Sequence, residues 1–245
     1  MNARAALRSS ILASVSASMA AALVVEQRVR TVDDARRDRY VRTWAKIALR
    51  TLGVEVAHVG EIPAAQGPRL VVANHRSTLD ILLMLATFGG HLLAKGEMEH
   101  WPIAGTLAKM AGTLFVDRAD AQSGATAIRA MKEKLEKGRL VGVFPEGTTF
   151  VGDEVRPFHA GAFMAIARVR GEVLPVGLAY ASEDSHYREE PIDEHYARVA
   201  GARKTHVALS VGAPLAARGA IAALAEKSRG AVQDQVHRAR AWLGR

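Results

Sequence analysis

The hydrophobic rhythm of the chain changes at Gly53. Before it, apolar residues follow helical patterns. Seventeen uncharged residues, SSILASVSASMAAALVV, run from Ser9 to Val25 behind Arg4 and Arg8. The next stretch sets Val25, Val29, Val32, Tyr40, Trp44, Ile47 and Ala48 at roughly helical spacing, with Gly53 as a stop. Beyond Gly53 come short apolar runs that read as strands: GVEVAHV, RLVVAN, HLLAK, TLFVDR, RLVGVF, EVLPVGLAY and THVALSVG. Helical patterns fall between most of them, at about 78–88, 100–110, 121–137, 159–170 and 218–243. Continuous apolar strands separated by helices predict an α/β fold, a mainly parallel mixed sheet flanked by helices. The polar stretch 182–204 reads as a surface insertion. The chain thus divides into N-terminal helices, 1–52, and an α/β domain, 53–245.

The N-terminal apolar segment has three readings. It lies at the short end of the roughly 17–25 residues that span a bilayer, and Ala and Ser dilute it. Basic residues before a short apolar core also fit a cleaved signal peptide. A helix lying on the membrane surface is the third. Residues 26–50 hold eight Lys or Arg against four Asp or Glu. That helix has either an ordinary solvated face or a basic face suited to anionic lipid.

Charge narrows the partners. With 33 Lys and Arg against 25 Asp and Glu, the net +8 favours an anionic partner. Aromatic residues are only 5% and do not interleave with basic ones, so nucleic acid is not the expected partner. The absence of cysteine removes disulfides, thiolate metal sites and a cysteine nucleophile. There is no G-x-S-x-G elbow, Walker A loop, G-x-G-x-x-G fingerprint or H-E-x-x-H pair. His186, Glu189, Glu190, Glu194 and His195 crowd the insertion without a ligand spacing, and no metal site is expected.

Three polar clusters follow strands. In VVANHRSTLDILLML, residues 71–85, Asn74 and His75 end a strand, and Ser77 and Thr78 start a helix. Asp80 then falls in the first helical turn and can reach back to His75. Histidine is the usual general base near neutral pH, and a carboxylate fixes its tautomer. The competing structural reading makes Ser77 or Thr78 a helix cap and Asp80 a dipole partner. With no nucleophile evident, the base would activate a substrate hydroxyl or water. In GTLFVDR, Arg118 closes a strand; it suits a phosphate, with Lys95 as a second cation, or else pairs with Glu146 or Asp117. In VFPEGTTF, Pro145 and Gly147 shape a turn that presents Glu146, Thr148 and Thr149. Open α/β sheets place sites at carboxyl strand ends, where all three clusters fall.

Together the clusters resemble the glycerophosphate acyltransferase family, most closely its lysophosphatidic-acid acyltransferase branch. Asn74, His75 and Asp80 match N-H-x4-D. Gly112, Phe115, Val116 and Arg118 match G-x-x-F-[IV]-x-R. Phe144 to Thr148 match F-P-E-G-T, and the strand around Pro175 matches a fourth block. The resemblance implies transfer of a fatty acyl group from acyl-CoA or acyl carrier protein to the hydroxyl of a lysophospholipid, most simply 1-acyl-sn-glycerol-3-phosphate. It implies His75 and Asp80 as catalytic, and Asn74, Lys95, Arg118, Glu146, Gly147, Thr148 and Thr149 as substrate-binding. No cofactor is implied beyond the acyl donor as co-substrate. The N-terminal helices would then rest on an anionic membrane surface, at the cytoplasmic face of the inner membrane. One departure is Thr149, where many members carry Arg. E-G-T-T also resembles lyso-ornithine-lipid acylating sequences, which keeps that acceptor open. A lipid hydrolase and a non-enzymatic basic membrane module are the rivals.

Overall fold

The computed structural model describes residues 2–100, 104–117 and 120–244. Two helices, α1 (Ala3–Val29) and α2 (Asp34–Thr51), precede β1 (Val54–Val59). Next come β2 (Arg69–Ala73), α3 (Leu79–Thr87), β3 (His91–Lys95), α4 (Ala104–Met110), β4 (Leu114–Val116), α5 (Ala121–Glu136) and β5 (Val141–Val143). The chain finishes with α6 (Met164–Arg168), β6 (Glu172–Tyr180), α7 (Ile192–Gly201), β7 (Thr205–Val211), β8 (Leu215–Ala216) and α8 (Ile221–Leu243). Strand order is β1-β7-β6-β2-β5-β3-β4, with β8 on β6. β6, β2, β5, β3 and β4 are parallel; β7 runs antiparallel to β6, and β1 parallel to β7. The mainly parallel mixed sheet is therefore present.

The central strands β2, β5 and β6 are buried on both faces, which is why they lack the apolar–polar alternation of a half-solvated sheet. The pleat still sorts them. Val71, Ala73, Leu174, Val176, Leu178 and Tyr180 face the layer that holds α2 and α3. Leu70, Val72, Val141, Val143 and Val173 face α5, α6 and α8. Every parallel strand of the central group delivers its carboxyl end to one edge, so the three polar clusters converge there.

One expectation changes. The stretch 182–204 is not merely a surface insertion: it contains α7, whose His195, Val199 and Ala200 are buried. Its charged residues hide the short apolar face. The apolar stripe of α2 (Val41, Ala45, Ala48, Leu49) packs into the core.

Helix α1 is fastened along its length. At its start Arg4 donates to the Gly201 carbonyl, and Arg8 donates to those of Ala200, Ala202 and Arg203, at 2.6–3.2 Å. The Ala200 and Gly201 carbonyls are orphans of the last turn of α7, where cations are favoured by the helix dipole, and those of Ala202 and Arg203 follow directly after it. Midway Trp44 donates to Ser16 at 2.9 Å, and near the end Tyr40 donates to Glu26 at 2.6 Å. Leu7, Ile11, Val24, Val25 and Val29 remain exposed.

α8 lies so close to β6 that Gly177 has no room for a side chain. A Cβ there would meet Gln235 and the amide of Val236, both backbone atoms. Gly177→Ala is expected to destabilise the fold by about 1–3 kcal/mol, the usual cost of overpacking. A urea midpoint equal to wild type would show that α8 yields freely.

Candidate active site

β2 ends at Ala73, and Asn74 replaces its next ladder partner. The Asn74 amide donates to the Leu178 carbonyl at 2.9 Å and accepts its N–H at 2.8 Å. β6 thereby continues past β2 with its backbone satisfied. Expected to touch substrate, Asn74 is instead fully buried and committed to β6.

The freed chain turns at once into α3, and Asp80 organises that turn. Its Oδ2 accepts from His75 Nδ1 at 2.8 Å and from the backbone N–H groups of Arg76 at 2.5 Å and Ser77 at 2.8 Å. Its Oδ1 accepts the Tyr180 hydroxyl at 2.5 Å. Asp80 is completely buried. Burial raises the pKa of a carboxyl group. Here the bonds from His75, Tyr180 and the Ser77 amide outweigh it, and the carboxyl stays below its ordinary range. Burial, reinforced by the Asp80 charge, pushes the Tyr180 hydroxyl well above 10. Tyr180 therefore remains a donor.

With Nδ1–H held by Asp80, the lone pair of the His75 imidazole lies on Nε2. The ring stacks on Phe144, with centroids 4.1 Å apart and planes 13° apart. Among the described residues none hydrogen-bonds Nε2, and the side chain is 17% exposed. A base held in one tautomer and reachable from outside is what proton abstraction requires.

Arg76, which the sequence reading passed over, is the buried brace behind this base. Its guanidinium donates to the carbonyls of Gly152 (2.6 Å), His75 (2.7 Å) and Glu154 (2.7 Å) and to both oxygens of Glu146. Glu146 also accepts the N–H groups of His75 at 2.6 Å and Arg156 at 2.9 Å. Expected at the substrate, Glu146 is fully engaged in holding the 146–156 loop against His75. Among the described residues its cation is Arg76; Arg118 lies outside them. Lys95 forms an exposed ion pair with Glu97 at 2.8 Å, the kind that contributes little.

Gly147, with φ +85, turns the loop after Glu146 and donates its N–H to the Phe144 carbonyl at 3.1 Å. At this edge the N–H groups of Gly147, His75, Arg76 and Ser77 are all engaged. Thr148 is exposed and Thr149 half-buried, both on the same loop. Ser77 is fully buried and its Oγ accepts Leu79 N–H at 3.3 Å, so it belongs to the helix start and is no nucleophile. No cluster of three metal-ligating side chains occurs among the described residues.

Behind Phe144 and Pro145 lies a cavity of about 390 Å³. Leu93, Val116, Ile128 and Met131 give it an apolar wall, and Gly124 and Gly161 leave it open. Phe144 thus touches both the base, on which it stacks, and the cavity, which it helps to line.

Fold and site define a parallel-sheet protein with a carboxylate-held histidine at the carboxyl strand edge. The Acyltransferase family profile matches residues 53–179, just over half the chain, and the chain belongs to that family. A lyso-ornithine lipid O-acyltransferase of Pseudomonas aeruginosa is 42% identical over 145 residues, 59% of this chain and 55% of that protein. A 1-acyl-sn-glycerol-3-phosphate acyltransferase of Neisseria gonorrhoeae is 36% identical over 159 residues, 63% and 61% of the two chains. The match thus spans little more than half the length of these curated relatives. The crystal structure of the 1-acyl-sn-glycerophosphate acyltransferase of Thermotoga maritima shares the fold. Its TM-score is 0.67 at 24% identity, over 97% of this chain and 98% of that one.

The buried Arg76–Glu146 pair makes a direct test of the brace. Arg76→Met leaves the Glu146 carboxylate buried without its cation and should cost about 3–5 kcal/mol; Arg76→Met with Glu146→Leu should recover only part of it, because five backbone groups lose their partners. Denaturant unfolding of both variants is the measurement. Equal stability of Arg76→Met and wild type would remove the brace from the account.

Proposed function

We propose that the protein is an O-acyltransferase moving a fatty acyl group from acyl-CoA or acyl carrier protein to the free hydroxyl of a lysophospholipid. The observation that carries this is the Asp80-held His75 beside an apolar cavity. Nε2 of His75 takes the acceptor hydroxyl proton as the oxygen attacks the thioester carbonyl carbon. Asp80 stabilises the imidazolium so formed. The tetrahedral centre collapses with loss of the thiolate, which takes up the proton, and an ester and a free thiol result. No acyl-enzyme is needed, in keeping with the buried, engaged Ser77. The cavity behind Phe144 receives an acyl chain.

The first acceptor is 1-acyl-sn-glycerol-3-phosphate, with Arg118 and Lys95 on its phosphate. Lyso-ornithine lipid is the second reading. Thr149, which offers a hydroxyl rather than a cation, and the likeness to the Pseudomonas protein favour it. Helix α1 lies on an anionic membrane at the cytoplasmic face. It is the single described helix long and apolar enough to cross a bilayer. Its fastening at both ends and the middle supports a helix lying along the domain over one that leaves it. The bonds from Arg4 and Arg8 to α7 argue against a cleaved leader.

Incubating the protein with acyl-CoA and each lysolipid should yield ester. His75→Ala should lower that turnover by roughly 10²–10⁴-fold with the fold intact. Comparable transfer by the variant would remove His75 from the mechanism; donor hydrolysis without ester would favour a hydrolase.

Gly124→Leu tests the cavity. Nothing lies within 4 Å of an added Cβ at Gly124, and replacing a helical glycine with leucine favours the helix by up to about 1 kcal/mol. The side chain should fill the hollow and shift donor preference to shorter acyl chains. An unchanged chain-length profile would place the acyl chain elsewhere.

A further inference from the structure

The first turn of a helix leaves N–H groups that need acceptors. At the start of α3 almost all are met locally. Arg76 and Ser77 donate to Asp80. Leu79 donates to Ser77 Oγ at 3.3 Å, and Asp80 to the Ser77 carbonyl at 3.1 Å. Thr78, at the N-cap position, makes no side-chain cap. Its own N–H points to Nε2 of His195, 3.4 Å away, and Ser77 Oγ lies 3.4 Å from the same nitrogen.

His195 belongs to α7, beyond the stretch matched by the family, and is fully buried. Its tautomer follows from its surroundings. A backbone N–H cannot reverse its role, so Nε2 must accept and Nδ1 must carry the proton. Nδ1 then donates to Glu190 at 3.1 Å, and Glu190 is in turn paired with Arg198. Arg198 Nη2, a donor only, also lies 3.2 Å from Nδ1, where it acts as a charge and not as the partner of the Nδ1–H. Burial, followed by the Arg198 charge, depresses the His195 pKa, which keeps the ring neutral and Nε2 an acceptor. Tyr187 closes one side edge-on, 5.1 Å between centroids.

We propose that His195 is a positioning residue for the base: as acceptor for Thr78 and Ser77 it fixes the amino end of α3, and through that turn the Asp80–His75 pair. The inference rests on the acyltransferase reading for its kinetic readout only. Both contacts, at 3.4 Å, are longer than an ordinary hydrogen bond; His195 is fully buried, so its contribution is orientation and not binding of substrate.

The test compares two variants of the full chain, with acyl-CoA and lysophosphatidic acid as probes. In His195→Gln the amide oxygen reaches the place of Nε2; His195→Leu keeps similar bulk without an acceptor. His195→Leu should lower kcat by roughly 10- to 100-fold, the scale set by a small misplacement of a catalytic group, and change KM by no more than about 3-fold. His195→Gln should stay within about 3-fold of wild type. By NMR the downfield Nδ1–H resonance of His75, which reports its bond to Asp80, should shift or vanish in His195→Leu and stay in place in His195→Gln. Wild-type kcat and an unmoved His75 Nδ1–H resonance in a folded His195→Leu would overturn the proposal. So would a folded His195→Gln as impaired as the leucine variant. Should His195→Leu not fold, His195→Asn, whose amide falls short of Thr78, takes its place with the same expectations. If wild type does not acylate lysophosphatidic acid, the kinetic readout falls with the functional reading, and the His75 Nδ1–H resonance still decides the positioning.

Discussion

One buried carboxylate sets the geometry of this protein's site. Asp80 gathers a histidine, a tyrosine and two backbone N–H groups on its two oxygens. Isolated in the interior, such a charge would be costly; four donors make it stable and leave it ionised. Each donor comes from a different structural need. His75 needs an orientation, the first turn of α3 needs an acceptor, and Tyr180 at the end of β6 needs a partner in the core. The same atom pair answers all three, so moving any one moves the others.

Around that centre the chain uses charged residues as internal struts. Arg76 and Glu146 tie two strand ends into one block, and both are nearly removed from water. Buried ion pairs are weak contributors to net stability, but they are specific: each donor finds one place. The loop from 146 to 156 has little regular structure. Here that specificity stands in for the missing ladder bonds. Asn74 does a similar thing for the sheet, standing in for a strand residue where β2 has ended.

The order of strands and helices was legible from Gly53 onwards because a doubly covered sheet writes itself as short apolar runs. The His75–Asp80 pair was legible too, since five positions bridge a strand end and a first helical turn. Tyr180 and His195 were not. They stand about a hundred positions away, and only strand order and pleat bring them to Asp80 and Thr78. Asn74 and Glu146 were found but given the wrong neighbour: a motif tells where a polar group is, not which donor claims it. α7 was missed because charged residues surround its short buried face. Arg4 and Arg8, read as charges before an apolar core, turn out to grip the end of α7.

The family match closes at residue 179, one position short of Tyr180. A fragment trimmed to those limits would hold every recognisable motif and still be chemically incomplete. One oxygen of Asp80 would have lost its hydroxyl, Thr78 its imidazole, and Gly177 the helix that covers it. The signature that lets such a sequence be recognised is thus smaller than the smallest piece that holds the signature in shape.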